Sequence, residues 1–559
     1  MTLTASPPAE SLERPALGSS DVSPDAPMLP ESLLTTSDHK RIGRAYLVVA
    51  TLFVLISAVV GVVLEIELSA SGVTIVGNEY GRLFSLHSTA GAVLFLPGLF
   101  LGLATYLVPL QIGARRLAFP RLAALAFWSY VTGGVLLLCS YAFGRPNGYG
   151  LAYSVPLPVV KGVSRATDLW VASLGLITVA MLLAAATLFV TVLKLRAEGM
   201  TMARLPAFSW SIMAVSAATL LSAPVFMAGL LILYLDQHFA GGVFSAKQDG
   251  ANLIWQHLLW LYGRPDVYLV VVPCLGALTD VVHTHSRRRL FQPQAAKAMI
   301  FGAAILSFGV LASNASIERA VLIPTPSALS VAIVIPIGLL ALLWLGSIRP
   351  NRLRPHVSLL FLVGFLLLLV SGAINAAIAP SQHLVGGLNG SEWTVGQVHA
   401  LLFAAPTMAA FAGIYHWAPK IWGRALSPLL GALQALLLLG GFLVTSLGPW
   451  LAGYDGAAWH LDDYAGRNAD SYANYAKLAS AGGVLVALGL LVFLANMAMT
   501  RMKVRGDHAA EYPADPYEGS SLEWYTASPP PPHNFDVVPQ IRSGEPLADI
   551  RAAREGGVA

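Results

Sequence analysis

Cysteine is nearly absent: Cys139 and Cys274 are the only two in 559 residues, each inside an apolar run. Two isolated thiols provide no CxxCH for covalent haem attachment and no thiolate set for an iron–sulfur cluster or a dinuclear copper centre. They read as buried structural thiols. Charge is also scarce, with 11% Asp, Glu, Lys and Arg against 56% hydrophobic residues and a mean hydropathy of +0.66. A chain this apolar is excluded from the soluble multidomain class and belongs to a membrane, which it crosses many times. No glycine-rich phosphate loop follows a strand pattern, so nucleotide binding has no foothold. Nor does a basic segment followed by an apolar core open the chain, so no cleavable signal peptide is expected.

The expected fold is an all-α integral membrane protein with twelve transmembrane helices in one bundle. The apolar runs divide at 42–66, 82–110, 120–143, 168–193, 208–235, 250–281, 295–315, 328–348, 357–378, 393–418, 428–450 and 479–501. Each is long enough to cross about 30 Å of hydrocarbon. Alternate connections carry the cations: Lys40, Arg41 and Arg44, then Arg115, Arg116 and Arg121, Lys194, Arg196 and Arg204, Arg287 to Arg289 with Lys297, Arg349, Arg352 and Arg354, Lys420 and Arg424, and finally Arg501, Lys503 and Arg505. This alternation is the positive-inside pattern and puts both termini in the cytoplasm, with the plasma membrane as the expected location. The Arg run at 287–289 is thereby a topology anchor, and no nucleic-acid partner is expected. Residues 1–35, rich in Pro, Ser and Ala, form an expected disordered cytoplasmic arm, residues 36–505 the membrane domain and residues 506–559 a polar cytoplasmic tail. In the tail, the prolines at 529–532 favour an extended segment along the cytoplasmic face.

Two histidines stand out against this background. His87 lies in RLFSLHSTAGAVLFLPGLF and His399 in SEWTVGQVHALLFAAPTMAAF. An ionisable side chain within a span is a functional-site candidate, because hydrocarbon penalises charge and even a neutral imidazole needs a partner. In the twelve-span topology the second and tenth spans run in the same direction, and both histidines sit about 9 Å below the outer surface at 1.5 Å per residue. Two imidazoles at one depth could ligate a single haem iron from opposite faces, while a lone membrane histidine more often serves as a hydrogen-bonding group between helices.

The flanking residues carry a resemblance. SDHKRIG at 37–43, YLVPLQIGARRLAFPRL at 106–122, WQHLLWLYGRPDVYLVVVP at 255–273 and LEWYTASPPPPHNF at 522–535 occur in the order found in subunit I of the haem-copper oxidases, and the chain resembles that family along nearly its whole length. The resemblance implies twelve membrane helices, a low-spin haem of a or b type held by His87 and His399, and a place in the aerobic respiratory electron-transfer chain. Implied partners are other oxidase subunits, such as a subunit II or a cytochrome electron donor, together with membrane lipid.

Where the family reduces oxygen, this chain departs from it. The family's GHPEVY motif, which supplies one copper ligand, reads GRPDVY here, with Arg264 at the ligand position, and the two adjacent histidines of its WAHH motif become Ser313 and Asn314. Arginine stays protonated and has no lone pair to donate, so it cannot ligate copper. The high-spin haem ligand of the HFHY motif becomes Gln397, and the tyrosine that the family links to its copper ligand survives as Tyr268 without its histidine. Asp266 is the expected counter-ion of Arg264, since a buried charge needs pairing. The carboxylate at the family's first proton entry aligns with Arg116, and the lysine of its second path aligns with Ala328. His257 matches a family position that ligates no metal, while His238, His383, His283, His285 and His356 read as ordinary histidines near the surfaces.

The expectation is therefore a subunit I-like membrane protein that keeps a bis-histidine low-spin haem and lacks the copper and high-spin haem of the oxygen site. Two rivals remain open: a working, proton-translocating terminal oxidase with substituted ligands, and a haem-free membrane scaffold or transport protein.

Overall fold

The computed structural model describes residues 33, 36–69, 75–144, 164–239, 243–244, 258, 270–287, 290–309, 332–349, 353–378, 388, 391–458, 469–506 and 512–555. Ser37–Ala559 form one compact unit, and Met1–Thr36 form a separate one. The larger unit is helical: α1 (His39–Ser69), α2 (Tyr80–Gln111), α3 (Pro120–Ala142), α4 (Arg165–Lys194), α5 (Ala207–Phe239), α6 (Val272–His285), α7 (Pro293–Gly309), α8 (Val334–Ser347), α9 (Val357–Ile378), α10 (Glu392–Trp422), α11 (Pro428–Tyr454), α12 (Ala469–Gly506) and the short α13 (Pro546–Glu555). Nine helices among the described residues, α1 to α5 and α9 to α12, are long and apolar enough to cross a membrane. The expected sixth, seventh and eighth spans meet α6, α7 and α8, which have 14, 17 and 14 residues and border segments outside the described residues. Twelve complete spans are accordingly not established.

Sequential helices pack side by side: α3 on α4, α4 on α5, α5 on α6, α9 on α10, α10 on α11 and α11 on α12, while α1 lies against both α2 and α12. Large apolar side chains such as Leu52, Leu221, Leu342, Val370, Leu436 and Leu491 are exposed on the outside, as a surface solvated by lipid tails requires. The two most enclosed spans are α2 and α10. Their small residues explain this, because helices come close when no side chain intervenes. At Gly43 of α1 an added Cβ would lie 2.8 Å from the Gly102 carbonyl oxygen of α2.

Local signals set where α10 begins and ends. The Ser391 hydroxyl accepts from the Trp393 N–H at 3.3 Å, capping the start. Gly423, at φ +74°, ends the helix in the left-handed conformation that glycine adopts without cost. Both α2 and α10 also contain a π-helical turn, at Ala90–Phe95 and His399–Ala404 respectively. Such turns redirect side chains and recur at functional sites. These two meet: a Cβ on Gly91 would lie 2.8 Å from Cε1 of Phe403.

The tail packs as structure and is more than a polar extension. Leu522, Trp524 and Phe535 are buried, and the segment is tied to the helix ends that carry the cations. The Lys40 ammonium donates to the Pro532 carbonyl at 2.9 Å and to Oδ1 of Asn534 at 3.0 Å. Lys420, fully buried at the end of α10, donates to the Ala514, Thr526 and Ala527 carbonyls at 2.7, 2.5 and 3.4 Å. Charge-assisted hydrogen bonds in a closed environment are the stronger kind. Lys420→Met, of similar length but without donors, is expected to loosen residues 512–555. Limited proteolysis should cut that segment faster, with a stability loss of about 2 kcal/mol for the stranded carbonyls.

Candidate functional site

His87 and His399 face each other across the contact between α2 and α10. Their ring centroids are 6.0 Å apart and the planes are tilted by 40°. Each ring is anchored through the same nitrogen. Nδ1 of His87 donates to the Ser57 carbonyl of α1 at 2.7 Å, and the Ser57 hydroxyl donates back to the His87 carbonyl at 2.9 Å. Nδ1 of His399 donates to the Val395 carbonyl, one turn earlier in α10, at 3.0 Å. Gly61 of α1 leaves space for the first ring, since a Cβ there would lie 2.7 Å from Cε1 of His87.

This arrangement suits metal ligation. A ring that donates Nδ1–H to a carbonyl is held as the tautomer whose Nε2 carries a free lone pair, and outer contacts of this type orient ligating imidazoles and raise their basicity. A metal–imidazole bond of about 2 Å on each side brings two opposed ring centroids to about 6 Å, which matches the observed separation. The residues present therefore fit an iron held by two histidines.

The rest of the expected site divides by location. Gln397 lies two residues before His399, about 200° round the helix, and so faces away from His87. Arg116 is exposed in the turn after α2. Arg264, Asp266 and Tyr268, with Ser313, Asn314, Ala328, His257 and His383, lie outside the described residues. His238 hydrogen-bonds Oδ1 of Asp168 at 3.0 Å, in keeping with a surface histidine.

Three histidines at the basic end form a cluster that sequence reasoning missed. His285, expected to be ordinary, is fully buried, and its Nε2 lies 3.2 Å from Nδ1 of His416 on α10. His356 stacks on His285 with centroids 4.4 Å apart and planes 10° from parallel, and Tyr517 of the tail stacks on His416. His416 sits in the otherwise apolar run GIYHWAP, the same signal that singled out His87 and His399. All three rings pack against Tyr517 of the tail, and among the described residues no group of three or more His, Cys, Asp or Glu side chains is placed to hold a metal ion. Close by, Gln111 donates to both Asp280 at 3.0 Å and Glu523 at 3.1 Å, tying two helices to the tail.

Residues 41–508 match the family described as cytochrome c and quinol oxidase polypeptide I. The chain belongs to that family. A Streptomyces coelicolor protein provisionally named cytochrome c oxidase subunit 1-beta is 35% identical over 92% of this chain and 90% of its own length. Cytochrome c oxidase subunit 1 of Corynebacterium glutamicum is 30% identical over 93% of this chain and 88% of its own. The cryo-EM structure of a haem-copper terminal oxidase dimer superposes with a TM-score of 0.69 at 15% identity, covering 83% of this chain and 84% of the other, and so shares the fold. As a haem-copper oxidase subunit I relative, the chain is a multi-pass membrane protein of a family that uses haem and works with further subunits.

The histidine cluster makes tail docking sensitive to acid. Burial is the first cause holding His285 well below the ordinary imidazole value, and burial also takes His356 from 6.5 to about 4. An unfolded chain binds protons at these imidazoles from about pH 6.5 downward and the folded chain does not, so their contribution to stability falls as pH drops from 6.5 towards 4. Burial raises Glu523 and Asp515, which works in the opposite direction, so the test is a difference. His356→Phe keeps the ring stack and is expected to flatten the thermal-stability profile of the wild type within that window. An unchanged slope would count against the cluster's role.

Proposed function

We propose that the chain is an electron-transfer member of the family that holds one low-spin haem, of a or b type, between His87 and His399 and lacks the copper and high-spin haem at which oxygen is reduced. The observation that carries this reading is the pair of rings 6.0 Å apart, each with Nδ1 committed to a backbone carbonyl and Nε2 left to ligate. Haem bound there would supply a one-electron ferric/ferrous couple. Ser57 and the Val395 carbonyl keep the proton on Nδ1 of each ring and so keep the ligating nitrogens unprotonated. Gly61 leaves the first ring the room it needs.

The loss of the oxygen site is supported by chemistry at four positions. Arg264, Ser313 and Asn314 replace the copper ligands, and Gln397 offers only a weak amide oxygen to a haem iron. Arg264 with Asp266 is read as a buried ion pair in place of the metal. The alternation of cations supports a plasma-membrane protein with both termini, the arm 1–35 and the tail 506–559, in the cytoplasm. The subunits it would work with include a subunit II-like partner or a cytochrome donor. A second reading, a working terminal oxidase with substituted ligands, is favoured by the near full-length similarity to proteins named cytochrome c oxidase subunit 1.

Spectroscopy and metal analysis separate the readings. The purified protein is expected to show a six-coordinate low-spin haem spectrum that His87→Ala or His399→Ala abolishes; unchanged spectra in both variants would refute the ligand assignment, and no haem at all would leave a scaffold or transport role. Copper is expected well below one per haem, with no oxygen uptake from reduced cytochrome c. Stoichiometric copper together with cyanide-sensitive oxygen consumption would instead establish the oxidase.

A further inference from the structure

Two tryptophans lie on the side of the His87–His399 pair away from the basic face. Trp393 is in the first turn of α10, six residues before His399, and Trp450 is on α11, with ring centroids 6.5 Å apart and planes at 45°. Gly396, one turn before His399, lets Trp450 reach the α10 backbone: a Cβ there would lie 2.6 Å from Cδ1 and 2.8 Å from Nε1 of Trp450. Both indole nitrogens are shut off from solvent and have no hydrogen-bond partner among the described residues, and the hydroxyl of the fully buried Ser446, whose carbonyl borders the same glycine, is likewise unpaired among them.

An indole N–H can only donate, and closed interiors seldom leave donors unmatched. Tryptophans at a membrane boundary usually turn this group towards headgroups or water, but here both nitrogens are enclosed. The unmatched donors therefore call for an acceptor within the fold, one or two turns of α10 from a histidine placed to ligate haem. Haem carries two carboxylates on one edge. Among the described residues, cationic partners for them are scarce at this end. Arg82, five residues before His87, is 2.8 Å from Glu79.

We propose that Trp393 and Trp450 donate their indole N–H groups to a carboxylate of the haem held by His87 and His399, binding it through neutral donors. The assignment rests on the haem reading above. It gives the two indoles a job that ring packing alone would leave to any aromatic residue. Phenylalanine should therefore fill the space and fail at the function.

The test uses purified full-length protein with its haem, comparing Trp450→Phe and Trp393→Phe with Trp344→Phe, whose indole donates to Thr279 at 3.0 Å elsewhere in the bundle. The first two variants are expected to keep the bis-histidine spectrum, to release haem to an acceptor globin about tenfold faster, which corresponds to 1.4 kcal/mol, and to shift the propionate bending mode in the resonance Raman spectrum. Trp344→Phe should change neither. Should a variant fail to fold, the indole N–H marker in ultraviolet Raman spectra of the wild type supplies the reading, since it should report hydrogen-bonded tryptophan lost on haem removal. Wild-type release and an unshifted propionate mode in folded variants, or a marker indifferent to haem, would overturn the assignment while leaving the ligands intact. A wild-type protein without low-spin haem would remove the ligand reading first and this assignment with it.

Discussion

Hydrocarbon offers no hydrogen bonds, so each polar group inside this bundle must find its partner in the protein. That constraint accounts for the form of the histidine site. A ring on α2 could not stay neutral, oriented and available unless another helix offered an acceptor, and Ser57 of α1 does so with its carbonyl while its hydroxyl secures the helix that carries the ring. On α10 the acceptor is one turn away in the same helix, where the π-helical turn begins at His399 itself. Irregular backbone is tolerated at these positions because it is enclosed. The two widened turns lie within the two most buried spans and touch through Gly91 and Phe403.

At the basic end the same constraint is met by the tail. The Lys40 and Lys420 ammonium groups lie at helix ends, and residues 512–555 answer them with carbonyls and an asparagine. Lys420 and Lys40 are thus docking points for the tail. Beneath them, His285, His356 and His416 pack as neutral rings against Tyr517, and Gln111 shares its amide between Asp280 and Glu523. The tail therefore completes the bundle, and its loss would expose polar groups that it now satisfies.

A haem-copper oxidase fold without the oxygen-site ligands, as proposed here, would separate two properties that usually travel together. The scaffold is set by helix packing, which tolerates wide change in sequence, as the shared fold at 15% identity illustrates. Oxygen chemistry depends on a few lone pairs at set positions, and a single Arg in place of an imidazole removes one. The proposed electron-transfer site requires only two imidazoles and their carbonyl partners, and His87 and His399 have those partners in Ser57 and Val395.

Much of this was legible from residues alone. Apolar runs identify a membrane bundle, and a histidine inside a span marks a candidate site, because each of these signals is local and its free-energy cost is large. Motif order carried the family. Other features were beyond the sequence. That Nδ1 of His87 finds Ser57, that Gly61 must be glycine, that His285 meets His416, and that two indoles lack acceptors all depend on how separate helices rotate and approach one another. Those quantities come from packing many side chains at once, and no single stretch of chain encodes them. The sequence by itself determined a membrane bundle with two histidines worth explaining; only the tertiary structure decided that their rings face each other with one nitrogen tied and one left to ligate, because relative helix rotation is a property of the packed whole.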